Sequence, residues 1–247
     1  MARGIPRLQH VVGRVRRAVH ERTAVAGTVP VDIGALIVPL RHDVVVRARF
    51  FDFLVEHPDL SGPELVDAAA ATAYATWFEH VECARYFSEL LHDTARREQR
   101  FAARVHGAVR LLRSFEDGGF DATSPVTLIT AAVGSTSDSG VGALGPLHIG
   151  DGCHRLALLL REGATLEPRM YKVRPSLNTL VDNTSVLLRA GAVTEADYVG
   201  FLGGRFPVGD AQTVSVALAN AEGVDARSAE ELRAVVDGQW RTSRPSP

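Results

Sequence analysis

Asp151, Cys153, His154 and Arg155 place a carboxylate, a thiol, an imidazole and a guanidinium on one short stretch, Leu147-His148-Ile149-Gly150-Asp151-Gly152-Cys153-His154-Arg155. Gly150 and Gly152 permit positive φ and let the backbone approach another group closely. The leucine-rich run behind them, through Leu160, has the composition of a buried helix. The first turn of a helix leaves N–H groups unpaired, and with the dipole behind them those donors suit phosphate. Gly150, Gly152, Cys153, His154 and Arg155 are thus candidate phosphate- or nucleotide-binding residues. The bland alternative makes Asp151 a turn residue and Cys153 a small buried filler, with His154 and Arg155 paired to acidic neighbours.

Such a turn needs a strand to deliver it and a helix to receive it. Leu147 to Ile149 reads as the strand, and the helix runs to Gly163. Pro125 to Val133 is β-branched and apolar, a second buried strand. Between them, Gly134 to Gly140 is small and polar, either a hairpin connection or a loop folding over a ligand. Glu167 to Val173 reads as another strand. Upstream, Val31–Ile33 and Leu36–Leu40 look like strand, followed by a loop through Arg41-His42-Asp43 and a helix ending before Pro58. His42 and Asp43 are either site residues on that loop or turn and cap groups.

From Ser61 to Phe115 the pattern is almost continuously helical. Ser61 and Glu64 have the spacing of a capping box. One helix is expected over 63–80 and another over 82–97, with a third carrying Phe101, Val105, Val109, Leu112 and Phe115 to Gly118-Gly119. Tyr74, Trp77, Phe78, Tyr86 and Phe87 either line a pocket or fill a helix–helix core. His80, Glu82 and Cys83 do not share a helical face, which argues against a metal cluster there. In the tail, 179–190 reads as a helix stopped by Gly191, and Asp182-Asn183-Thr184 either cap its second half or face the site. Thr194 to Asp197 opens another helix, and Ser228 to Glu231 is a capping box opening the last. Residues 1–30 form a basic helix or arm with Arg7, Arg14, Arg16, Arg17 and Arg22. It reads as a docking helix with a solvated face or as a contact for nucleic acid or an anionic surface.

The whole chain sets limits on these readings. Its 247 residues are 46% hydrophobic and 23% charged, with a formal net charge of −2. That balance argues against a protein whose entire surface grips nucleic acid. Cys83 and Cys153 make no disulfide framework and no zinc spacing. No apolar run approaches the roughly 18–20 residues that span a bilayer, and no signal peptide is evident. The expectation is a cytoplasmic protein without a membrane partner.

The order of these pieces resembles the ParB/sulfiredoxin superfamily. A helix ends at glycine in Leu111 to Gly119, and a strand begins Pro125-Val126-Thr127-Leu128-Ile129. A later strand leads into Ile149-Gly150-Asp151-Gly152-Cys153-His154-Arg155, and a helix to Gly163 and a closing strand through Tyr171 and Val173 follow. The resemblance covers about 31–56 and 105–175. It implies an α+β fold: a small mixed sheet in a domain over 31–175, with Val31 to Leu40 as its first strand. Residues 60–100 would be a helical insertion and 176–247 a helical extension.

Three functions attach to that superfamily. Its free-serine kinases carry a similar Asp-Gly-His-x-Arg. The resemblance then implies a nucleotide-dependent phosphotransferase acting on a small hydroxyl substrate such as an amino acid, with ATP or another nucleotide and Mg²⁺. Asp151 would hold metal or orient the acceptor, His154 and Arg155 would contact phosphate, and Glu116, Asp117 or Asp121 would supply the general base. Sulfiredoxins instead use the cysteine matched by Cys153 as a nucleophile, although Asp151 stands where they carry glycine and they are much shorter. ParB proteins bind CTP and DNA, and 176–240 lacks a convincing basic recognition helix for the latter.

Overall fold

The computed structural model describes residues 24–130, 147–174 and 182–237. The basic arm over 1–23, the Gly134–Gly140 connection, the start of the 179–190 helix and the terminus beyond 237 lie outside the described residues. The described chain is a mixed α+β structure whose four-stranded sheet has the order β1-β4-β2-β3. The strands are β1 (Val25–Ala26), β2 (Val126–Thr130), β3 (Leu147–Asp151) and β4 (Tyr171–Arg174). β2 pairs antiparallel with β3 and parallel with β4, while β1 pairs antiparallel with β4.

Helices cover this sheet and enclose most of the core. In chain order they are α1 (Ile33–Ile37), α2 (His42–Glu56), α3 (Gly62–Ala70), α4 (Ala73–Trp77), α5 (Thr94–Gly118) and α6 (Cys153–Arg161). The tail adds α7 (Thr184–Arg189), α8 (Glu195–Leu202), α9 (Val214–Val224) and α10 (Ala226–Val236). The helix after the glycine turn, α6, packs most extensively on α2. Leu156, Ala157, Leu158 and Leu159 are all buried, so α6 is apolar around most of its girth. A helix hydrophobic on every side belongs inside a protein, and α6 lies between α2 and the sheet.

Several expected elements take a different form. Residues 31–40 are not the first strand. Val31 makes an isolated bridge to Leu166, and Asp32 then caps α1 by accepting from the Gly34 amide at 2.8 Å. The strand beside β4 is Val25–Ala26 instead. Short apolar runs suit helix and strand alike, and the Asp32 cap decides this one. Arg41-His42-Asp43 is not a free loop, because α2 begins at His42. The expected helix over 63–80 breaks at Ala71, and α4 runs on into a π-helical turn, Phe78–Cys83. No regular helix fills 82–97. Ser88–His92 is a 3₁₀ turn, and α5 starts at Thr94 behind its Asp93 cap. The last helix is capped by Asp225, which accepts from the amide and hydroxyl of Ser228, so Ser228 sits inside the helix. The helix expected to open at Thr194 forms, the Thr194 hydroxyl accepting from the Asp197 amide, whereas Ser61 precedes α3 without the side-chain bond of a capping box.

Candidate functional site

Where β3 hands the chain to α6, a cavity of about 460 Å³ opens between sheet, α2, α5, the π-turn and the start of the tail. That is the size range of small-molecule sites, about 300–1,000 Å³. Gly150, Asp151, Gly152, Cys153, His154 and Arg155 line it on one side. Arg41, Arg47, Trp77, Glu82, Arg104 and Asn183 complete the polar part of the wall.

The two glycines of the turn have different reasons to be glycine. Gly152 is the residue before α6 and takes φ 91°, ψ 22°, a left-handed conformation that L side chains seldom adopt. A Cβ there would lie 3.2 Å from the Val126 Cα and 3.0 Å from an Arg155 nitrogen. Gly150 is ordinary strand in its φ. Its hydrogen faces β2, where a Cβ would meet Ile129 Cγ2 at 2.8 Å and the Thr127 oxygen at 3.2 Å. Gly152→Ala should therefore cost about 1–3 kcal/mol through backbone strain and tilt the first turn of α6. A urea-unfolding midpoint unchanged from the parent would contradict this account.

Behind the turn stands a buried ladder of charge. The Arg41 guanidinium donates from Nε to Asp43 Oδ1 at 2.8 Å and from Nη1 to the Ile149 carbonyl at 3.1 Å. Its Nη2 reaches both Asp43 Oδ2 at 3.1 Å and Cys153 Sγ at 2.9 Å. Arg47 Nη1 donates to the same Asp43 carboxylate and to the Asp43 carbonyl at 2.7 Å. Asp43 is fully buried, which alone would raise its pKa, yet two guanidiniums outweigh that and hold it well below the usual carboxylate range. Arg41 is likewise held protonated, with burial opposing and Asp43 and Cys153 prevailing. One carboxylate between two guanidiniums leaves a positive charge at the base of the cavity.

His154 is placed differently from a phosphate ligand. Its Nε2 lies 2.8 Å from the Tyr74 hydroxyl, and the ring meets Tyr74, Trp77 and Phe51 edge-on. Desolvation, reinforced by Arg47 and Arg104, pushes the imidazole pKa well below its ordinary value. His154 is therefore a neutral ring locked into an aromatic cluster, touching the cavity only along its wall. The other half of the wall comes from distant sequence. Arg104 donates to Glu82 Oε1 from Nε at 2.6 Å, and the Arg47 guanidinium lies over the Trp77 ring at 3.9 Å. Arg85 donates to Asn183 Oδ1 at 2.9 Å, tying the π-turn region to the tail.

The remaining expected residues fall as follows. Asp151 is exposed at the lip, its Oδ1 accepting from the Gly152 amide at 2.7 Å. Arg155 crosses to the Ser124 carbonyl and lines the cavity. Glu116 and Asp117 are exposed near the end of α5 and do not reach the cavity wall. Asp121 is also off the wall. Hydrogen bonds from Thr123 hold its pKa below the usual carboxylate range, a poor setting for a general base. The carboxylates that do line the cavity are Asp151 and Glu82. Among the described residues no three His, Cys, Asp or Glu side chains come together to hold a metal, so a cation here would need a ligand's own oxygens. The tail's small polar trio divides its work. Asn183 is on the wall, whereas the Thr184 hydroxyl accepts from the His42 amide at 3.0 Å.

Sequence reasoning did not single out Arg41, Arg47 or Arg104. Arg41 and Arg47 flank Asp43 at spacings of two and four, a local signal that a buried ion cluster was near. No protein-family model matches the chain, and searches of curated proteins and of solved structures return no match either. Among the described residues no helix is long and apolar enough to cross a membrane.

Proposed function

We propose that the cavity binds a phosphate-bearing small molecule, and that the protein is a nucleotide-dependent phosphotransferase acting on a small hydroxyl substrate. One observation carries this reading. The left-handed Gly152 turn opens the N-terminus of α6 onto a cavity walled by Arg41, Arg47, Arg104 and Arg155. Phosphoryl transfer asks a protein for positioning and charge neutralisation more than for covalent chemistry, and guanidiniums with helix N–H groups supply both.

Within this reading the α6 amides and Arg155 take a phosphate, and Arg41 reinforces that end from below. Asp151 makes no ion pair among the described residues and stands at the lip, so it is the carboxylate suited to a phosphate-borne Mg²⁺. The general base is sought in Asp151 or Glu82 rather than in Glu116, Asp117 or Asp121. His154 keeps the aromatic floor in place instead of touching phosphate. The ParB/sulfiredoxin resemblance supports the same assignment of the turn.

A second reading has its own observation, the Arg41 Nη2 to Cys153 Sγ contact of 2.9 Å. A guanidinium on a sulfur at a helix N-terminus is a setting in which cysteines serve as nucleophiles. Thermal unfolding with ATP, ADP and CTP, each with and without Mg²⁺, tests the first reading. Ligand at about a hundred times Kd should add about 2.7 kcal/mol of stability. No stabilisation by any nucleotide would overturn it. The Cys153→Ser protein should keep that stabilisation and any phosphotransfer activity, whereas the cysteine reading expects activity to vanish.

A further inference from the structure

We propose that the Arg47–Trp77 end of the cavity is a second oxyanion subsite, so that the natural ligand set presents two anionic groups to this protein. The proposal rests on the reading of the Gly152 end as a phosphate site and extends it along the same cavity to Arg47 and Trp77.

Both residues line the cavity, and both are buried, Arg47 at 5% and Trp77 at 2% exposure. Their donors are nevertheless unspent. Arg47 commits Nη1 to Asp43, while its Nε is buried with no partner. The Trp77 Nε1 is buried with no partner as well. Each of these atoms can only donate, and a buried donor left unmade costs free energy comparable to a lost hydrogen bond. The two residues are stacked, guanidinium over indole at 3.9 Å, which sets their two unused donor atoms close together in the wall. An acceptor with several lone pairs, a carboxylate or a phosphate oxygen group, is the chemistry that answers both.

Charge at this end agrees. Asp43 is shared between Arg47 and Arg41, so Arg47 has no carboxylate to itself. Glu82 accepts from Nε of Arg104 and forms an ion pair with its Nη2, so its own charge is matched locally. Neither unused donor belongs to the α6 amides or to Arg155, the groups assigned to the first phosphate. A single phosphate at the turn therefore leaves the Arg47–Trp77 donors unanswered. The second anion is either the far end of the same phosphate chain or a carboxylate on the acceptor molecule.

Crystals of the full chain soaked in sodium selenate would show the subsites directly through the anomalous signal of selenium. The expected result is two peaks, one before Gly152 and one between Arg47 and Trp77. A peak at the turn alone would overturn this proposal and leave the phosphate reading standing. A peak at Arg47–Trp77 alone would support the subsite and count against the reading of the turn. Trp77→Phe keeps the ring beneath Arg47 and removes one donor. It should lower the second peak several-fold and leave the first unchanged, and equal loss at both would also overturn the proposal. Competition of the second peak by malonate, but not by methyl phosphate, would identify the carboxylate source. The reverse preference would identify a phosphate chain.

Discussion

Asp43→Asn is expected to lower the unfolding free energy by about 3–5 kcal/mol, the usual cost of removing one partner from a buried ion pair. Asp43 has no solvent exposure, and its two oxygens take Arg41 and Arg47 together. Asparagine keeps the shape but removes the charge, and its amide nitrogen would confront a guanidinium that can only donate. Two buried positive charges would then stand uncompensated beside the cavity. The same change should make the protein unusually responsive to anions. Millimolar inorganic phosphate should restore more stability to the variant than it adds to the parent, because binding to the native state counts fully towards stability. Urea unfolding with and without phosphate measures both effects. A loss below about 1 kcal/mol would mean that Asp43 is not the compensating charge.

Mild acid should be nearly as damaging. Burial lowers the pKa of His42 to about 4 and of His148 to about 4, and holds His154 well below its ordinary value. Arg49 adds to the effect at His42, and Arg205 and Arg41 add to it at His148. In the unfolded chain each ring takes up a proton near pH 6.5, whereas the folded protein refuses it until far lower. The unfolded state therefore binds more protons throughout that window, so stability is complete above about pH 6.5 and falls as pH drops. Each such histidine costs about 1.4 kcal/mol per pH unit. The three together should remove about 3–4 kcal/mol between pH 7.5 and 5.5. Carboxylates with lowered pKa, such as Asp197 and Asp225, act at lower pH and stay out of this window. Urea midpoints across that range should fall steeply, and His148→Asn should flatten part of the slope. A flat profile would show that these rings are not kept neutral by the fold.

The parts of the fold legible in the sequence are those set by neighbours along the chain. The strand–turn–helix around Gly152 needs only a glycine with the right φ, an apolar strand before it and leucines after it. The Thr194 cap is equally local, one hydroxyl on an amide three residues away. Residues 31–40 misled because their apolar run fits either period, and the deciding signal was one aspartate, Asp32. The candidate site was half visible for a similar reason. Its glycine-turn side is contiguous, but Arg41 meets Cys153 across 112 positions and Arg104 meets Glu82 across 22. No periodicity announces such meetings. The π-turn Phe78–Cys83 deepens the problem, because its wider winding buries Phe78, Val81, Glu82 and Cys83 together, which a regular helical wheel does not anticipate. A wheel drawn at regular spacing keeps Phe78, Val81 and Glu82 on one face and turns Cys83 away from it.

The way the tail meets the sheet-bearing part has a bearing on how the molecule comes together in time. The amides of Asn183 and Thr184 both donate to the Leu40 carbonyl, the Thr184 hydroxyl takes the His42 amide, and Asn183, on the cavity wall, accepts from Arg85. The residues that begin α2 are thus finished by a segment synthesised 142 positions later. These contacts carry a large sequence separation, so a large loop-closure entropy must be met before they reward it. A chain cut before residue 182 would keep its glycine turn and lose the tail's share of the enclosure. Enclosure of the cavity is in that sense a report that the chain has reached Thr184.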